Sequence, residues 1–132
     1  MLVVDASCMY EVVASAPGSE DIRLRMSRDT DQAAPHVLDV EVLGVIRREF
    51  RLGRLDATAA SQAIEDLRDW SGERYSHRLL LWRAWELRDN VRGWDAMYVA
   101  LAEVLDAVLI TTDERLARVR GLRCSIELIR RG

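Results

Sequence analysis

Four carboxylates stand at places from which a folded α/β chain can bring them together: Asp5, Glu41, Asp95 and Asp113. Asp5 closes the apolar run Leu2-Val3-Val4, the pattern of a buried strand whose end meets solvent. Asp113 follows Ala107-Val108-Leu109-Ile110-Thr111 and one further threonine, the clearest strand pattern in the chain. Glu41 lies about one turn into a helical pattern, and Asp95 lies in the first turn of another. In an open parallel sheet ligands bind beyond the carboxyl ends of the strands, where the helices also start, so all four acids are expected on one rim. Singly, Asp5 and Asp113 read as helix N-caps, and Glu41 and Asp95 as first-turn acids favoured by the helix dipole. Gathered without a counter-ion they would repel one another and raise their own pKa values.

No lysine is available to neutralise them, because all 19 basic residues are arginine. A divalent cation is the natural partner of such a set. Ligation by oxygen alone points to Mg²⁺ or Mn²⁺, hard ions that keep waters and bind phosphate oxygens. That site would aim water at phosphorus and stabilise the departing oxygen, so metal-assisted phosphodiester hydrolysis is the expected chemistry. The absence of lysine also excludes a P-loop and Schiff-base catalysis. Cys8 and Cys124 form no CxxC pair and are expected as free thiols, while His36 and His77 are too few and too far apart for zinc. A net charge of −3 is unusual for a nucleic-acid binder, yet without the four acids the balance would be slightly positive.

The elements that must position these groups follow from periodicity and punctuation. Strands are expected at 2–4, 33–35, 107–111 and 124–129, with a weaker one at 72–76. Helices are expected at 6–14, at 19–28 with Ser19 as N-cap, and from Val37 to Gly53 with Leu38, Val42, Val45 and Ile46 on one face. More follow at 56–70, with Asp56 as N-cap and Ala59, Ala63, Ile64 and Leu67 inward, at 78–88, and from Trp94 to Leu105. Asp113 should cap a last short helix through about Val119. Strands separated by helices imply parallel pairing with helices on both faces, one α/β domain over 1–132. No apolar run approaches the roughly 20 residues that cross a bilayer, and no leader pattern opens the chain, so a cytoplasmic location is expected.

Four stretches resemble the motifs of one family. Val4-Asp5-Ala6-Ser7 resembles the opening hDxS of PIN domains, and Pro35-His36-Val37-Leu38-Asp39-Val40-Glu41-Val42 resembles their second motif. Asp95-Ala96-Met97-Tyr98-Val99-Ala100-Leu101-Ala102-Glu103 is close to their DAxYhALAE helix, the most specific of the set. Thr111-Thr112-Asp113-Glu114-Arg115-Leu116 matches the closing TxDxxL. Order and spacing fit across essentially the whole chain, and the length and Glu73-Arg74-Tyr75-Ser76-His77-Arg78 look like the VapC toxin branch. Trp94, where a tyrosine often stands, is a minor departure.

The resemblance implies a three-layer α/β/α fold with a mostly parallel sheet of four to five strands. It implies that Asp5, Glu41, Asp95 and Asp113 form the catalytic Mg²⁺ or Mn²⁺ site, Asp5 and Asp95 as direct ligands and Glu41 through water. Ser7 and Thr111 would orient the carboxylates by hydrogen bonds, Glu114 would be an outer ligand or, as is more common, a solvated first-turn acid, and Asp39, Glu103 and Asp106 surface or capping acids. It further implies an RNA substrate, often tRNA or another structured RNA, a VapB-like antitoxin, and a homodimer or larger hetero-oligomer. The antitoxin would lie across an apolar stripe of Met9, Tyr10, Val13, Ile46 and Phe50. Arg47, Arg48, Arg51, Arg74, Arg78 and Arg92 are candidate phosphate contacts. Three alternatives remain: a non-catalytic module of the same fold that binds RNA or protein, a metal nuclease directed at DNA or flap structures, and a small hydrolase of phosphate esters.

Overall fold

The computed structural model describes residues 1–130. Five strands form one sheet in the order β3-β2-β1-β4-β5, with β1 Leu2–Val4, β2 Gln32–Pro35, β3 Glu73–Tyr75, β4 Val108–Thr111 and β5 Ile126–Leu128. Every pairing is parallel, more uniform than the mostly parallel sheet expected. The central strand β1 is fully buried, as a continuous apolar run requires when helices cover both faces. Its register, Val4 opposite Ile110, brings Asp5 level with Thr111, the last residue of β4.

Seven helices connect the strands: α1 Ala6–Val13, α2 Glu20–Ser27, α3 Val37–Arg51, α4 Ala57–Asp69, α5 Leu81–Glu86, α6 Asp95–Leu105 and α7 Glu114–Ala117. The helix expected at 78–88 begins instead as a single 3-10 turn, His77–Leu80, which runs into the short α5. The expected caps at Asp5, Asp56 and Asp113 are made, each side chain accepting from a backbone N–H of its own helix. Ser19 precedes α2 as expected, but its side chain makes no capping bond. The N-terminus of α3 is capped from a distance, the Val37 N–H donating to His77 Nε2 at 2.9 Å.

Helix α1 packs against α2, α3 and α4, while α6 packs against α5 and against β1, β2 and β4, which gives the three layers. The inward faces match the periodic pattern with one exchange. On α4 it is Ala60, with Ala63 and Leu67, that is buried, while Ile64 is 43% exposed. Helix α6 is buried on more than one side, through Ala96, Tyr98, Val99, Ala100, Leu101 and Ala102, because alanines let it lie close to the sheet. Both cysteines are free. No helix among the described residues is long and apolar enough to cross a membrane.

Candidate active site

Asp5 sits at the carboxyl end of the central strand with 4% of its surface exposed, and its backbone N–H still reaches the Ile110 carbonyl. Three donors fix its carboxylate. Ser7 Oγ and the Cys8 N–H donate to Oδ1 at 2.6 and 3.0 Å, and Thr111 Oγ1 donates to Oδ2 at 2.5 Å. The two hydroxyls are themselves held, Ser7 Oγ by the Thr112 N–H and Thr111 Oγ1 by the Asp113 N–H. The end of β1 is thereby stitched to the end of β4, and both orienting residues expected from the sequence do touch Asp5. Burial raises the Asp5 pKa above its ordinary value, although the Ser7, Thr111 and Cys8 hydrogen bonds act to lower it.

Glu41 approaches from the first half of α3, half-buried, and accepts a hydrogen bond from the Tyr98 hydroxyl at 2.6 Å on Oε1. Burial raises its pKa, the Tyr98 bond lowers it, and the charge of Asp5 raises it again. Asp95 opens α6, and its carboxyl is pushed up to about 6, first by desolvation and then by Asp5, Glu41 and Asp113. Asp5 and Asp113 follow the adjacent parallel strands β1 and β4, and Asp95 and Glu41 lie at or near the starts of α6 and α3, so the topology puts all four acids at the carboxyl-end rim of the sheet. Asp113 shares a cavity of about 80 Å³ with Asp95 and Arg92. On the other side of the rim Glu41 and Ser7 open onto a groove of about 590 Å³ between α1 and α3.

None of the ion pairs among the described residues involves Asp5, Glu41 or Asp95, although Asp113 lies 3.9 Å from Arg115 Nε. Nor, among those residues, are three His, Cys, Asp or Glu side chains drawn together closely enough to enclose an ion. The donor chemistry nevertheless fits Mg²⁺ or Mn²⁺, which take a few carboxylate oxygens and complete their shell with water. Desolvation is the largest cause of the raised Asp95 pKa, and the charges of Asp5, Glu41 and Asp113 add to it; a cation would offset both.

Several expected roles need correction. Glu103 is no surface acid: its side chain is 6% exposed and accepts from Arg83 Nε at 2.6 Å and Nη2 at 3.1 Å. Asp39 accepts from Arg74 Nε and Nη2, and the same guanidinium donates to the Leu67, Trp70 and Gly72 carbonyls. Arg74 is therefore committed to the fold and is no free phosphate contact, whereas Arg47, Arg48, Arg51, Arg78 and Arg92 are exposed. Of the two readings of Glu114 the structure fits the solvated one: it is exposed in the first turn of α7 and pairs with Arg118 and Arg130. Asp106 does cap, at the C-terminus of α6 with φ of 51°. The apolar stripe proposed for an antitoxin is mostly core: Met9, Val13 and Ile46 are 1%, 6% and 2% exposed. Of its members only Tyr10, half-buried in the groove wall, and Phe50 reach solvent. Tyr98 is the contributor that sequence reasoning missed. The available signal was its place three residues after Asp95, which puts the two on one helix face.

Known proteins resemble this chain in sequence and in fold. The PIN domain family profile matches residues 2–122. Ribonuclease VapC1 of Mycobacterium tuberculosis is 37% identical over 129 residues, 97% of either chain, and Ribonuclease VapC3 of that organism is 42% identical over 118 residues, 89% of this chain and 85% of its own. PAE2754 from Pyrobaculum aerophilum superposes with a TM-score of 0.69 at 25% identity, over 95% of this chain and 81% of that one. VapBC2 from Rickettsia felis, crystallised with a DNA fragment from its promoter, superposes with a TM-score of 0.70 at 11% identity, over 96% and 97%, and supports the fold alone. The chain belongs to the PIN domain family.

Proposed function

We infer that this chain is a metal-dependent endoribonuclease, the toxin of a VapBC-type pair, which hydrolyses phosphodiester bonds in RNA. The observation that carries the reading is the placement of Asp5, Glu41, Asp95 and Asp113 at one rim of the sheet, with Asp95 pushed up to about 6 by burial and then by the other acids. Relatives named as VapC ribonucleases, similar over nearly the whole length, point the same way. A structured RNA such as tRNA is the proposed substrate, a VapB-like antitoxin the partner, a homodimer or larger hetero-oligomer the assembly, and the cytoplasm the place of action. One nuclease domain over residues 1–132 would suffice for this.

Asp5 and Asp95 would hold Mg²⁺ or Mn²⁺ directly, Asp113 would complete the site, and Glu41 would act through water. When bound, the ion supplies the positive charge that neutralises a phosphate and favours attack by water near neutral pH. The residues of the chain do the positioning. Ser7, Cys8 and Thr111 lock Asp5 in one rotamer, so its oxygens need no reorganisation when a phosphate arrives. The Tyr98 hydroxyl orients Glu41 towards the same rim. Asp95, uncharged about half the time near pH 6, must lose its proton before it can serve as a ligand.

Cleavage of end-labelled total tRNA tests the reading, with Mg²⁺ or Mn²⁺, with EDTA, and with Asp95→Asn. Discrete fragments that require both metal and Asp95 are expected, with the variant at least ~100-fold slower. Undiminished cleavage by Asp95→Asn or in EDTA would overturn it. Absence of any cleavage of tRNA, rRNA or mRNA by antitoxin-free protein would favour a binding module.

A further inference from the structure

The rim opens onto the groove between α1 and α3, and one wall of that groove is unlike the rest. Trp94, immediately before Asp95, is 64% exposed, and its side chain makes no capping bond to the helix it precedes. It borders the groove with Ser7 and Glu41 on one side and a separate cleft with Trp85 and Arg88 on the other. Packing therefore explains neither its size nor its position. Farther along the groove stands Gly44, in the interior of α3, where an added Cβ would meet no atom within 4 Å. A helix-interior glycine is less stable than alanine, and here no neighbouring side chain or backbone demands it. An exposed indole and an unfilled floor thus share one groove with the acidic rim. Arg48 lines the same groove, but so do Glu11, Glu41 and Glu49, so attraction of phosphate is not what this groove offers and stacking on the indole must carry the contact. The volume of about 590 Å³ falls within the roughly 300–1,000 Å³ in which small ligand groups are held.

We propose that Trp94 is a base-stacking platform, which holds one unpaired base of a single-stranded RNA segment in the groove over Gly44 and so delivers the adjoining phosphate to the acidic rim. An aromatic face accepts any base by stacking, and single-stranded RNA is recognised mainly in this way. The proximity of the stack to the acids makes Trp94 a substrate-positioning residue, and this rests on the ribonuclease reading of the rim. The groove suits an unstacked base better than a duplex, whose bases are already stacked on each other.

Binding of a fluorescently labelled, unstructured oligoribonucleotide, followed by anisotropy in EDTA at low salt, separates this proposal from the ribonuclease reading, because no cleavage is needed. Trp94→Ala is expected to weaken binding about 5- to 150-fold, the loss of one base–aromatic contact. Trp94→Phe should recover most of it, and Gly44→Leu, which projects a side chain into the open space at that position, should weaken binding as well. An oligonucleotide made wholly of abasic residues should bind wild type and Trp94→Ala alike. Equal RNA binding by wild type and Trp94→Ala overturns the proposal, whether or not tRNA is cleaved. So does a loss in Trp94→Ala that persists with the abasic strand, or unchanged RNA binding with altered sedimentation, which would assign Trp94 to a contact between copies.

Discussion

Helix α6 carries an acid at each end of its most characteristic stretch, and the fold treats the two in opposite ways. Glu103, near the C-terminal end, is surrounded: Arg83 binds it through two nitrogens and the Arg123 N–H donates to Oε2 at 2.7 Å. Burial alone would raise its pKa, yet these donors bring it below the ordinary glutamate value. Asp95, at the N-terminal end, is also sheltered from water but has other acids for neighbours, and its pKa goes up. The chain has 19 arginines to distribute. It uses one to satisfy Glu103 and leaves the rim around Asp95 short of positive charge. The contrast teaches that the acidic rim is no accident of an acid-rich protein, because the same helix shows how a sheltered carboxylate is neutralised when only the fold is at stake.

The largest effect is expected from breaking the paired end. Arg83→Met leaves Glu103 sheltered with its backbone donor alone, and removing one partner of a buried pair costs about 2–4 kcal/mol. Urea denaturation should show that loss, with the metal response of the rim unchanged. A loss well under 1 kcal/mol would mean that Glu103 is solvated after all and that the two ends differ less than described here.

At the other end the sign reverses. Because the folded-state pKa of Asp95 is raised from 3.8 to about 6, its stabilising influence is complete below the unfolded value and is lost as pH rises through 6. Asp95→Asn should therefore stabilise the metal-free protein at pH 7.5 by about 1–2 kcal/mol. This is less than the ~3 kcal/mol of an undamped two-unit shift, since the group is partly exposed and screened. The gain should vanish below pH 4. Melting curves across this range, run in EDTA, check it, and a destabilised variant at pH 7.5 would count against charge repulsion at the rim.

The smallest effect concerns the bridge between the two ends. Tyr98→Phe removes the donor to Glu41 Oε1 and leaves the carboxylate without that support. A stability loss of about 1 kcal/mol is expected. Cleavage should fall roughly tenfold, as is common when a residue that orients a metal site is lost, with the acid limb of the pH–rate profile moved to higher pH. Unchanged cleavage would make Tyr98 a core residue only.

The placement of Asp5, Glu41, Asp95 and Asp113 in the fold was legible because strand ends and helix starts are marked by simple patterns, and a parallel sheet sends both to one rim. What the side chains of helices do was less so. Met9, Val13 and Ile46 fit an antitoxin stripe and plain core equally as a pattern, and α1 and α3 turn those residues towards the core. Periodicity says which residues share a face and is silent on what covers it. The same limit hid Tyr98, since an apolar ring with a polar tip fits a core pattern whether or not its hydroxyl has work at a site. Arg74 and Glu103 were misjudged because their partners, Asp39 and Arg83, are 35 and 20 residues away. A charge pairing of that range is set by topology, which a local pattern does not contain.

One measurement tests the central claim most directly: NMR titration of the Asp95 and Glu103 side-chain carboxyls in metal-free protein and with Mg²⁺. Asp95 is predicted to titrate near 6 without metal and to fall below its ordinary value when Mg²⁺ is added, while Glu103 stays low in both. An Asp95 that titrates at its ordinary value and ignores Mg²⁺ would contradict the account, because the rim would then hold no excess charge for a cation to neutralise.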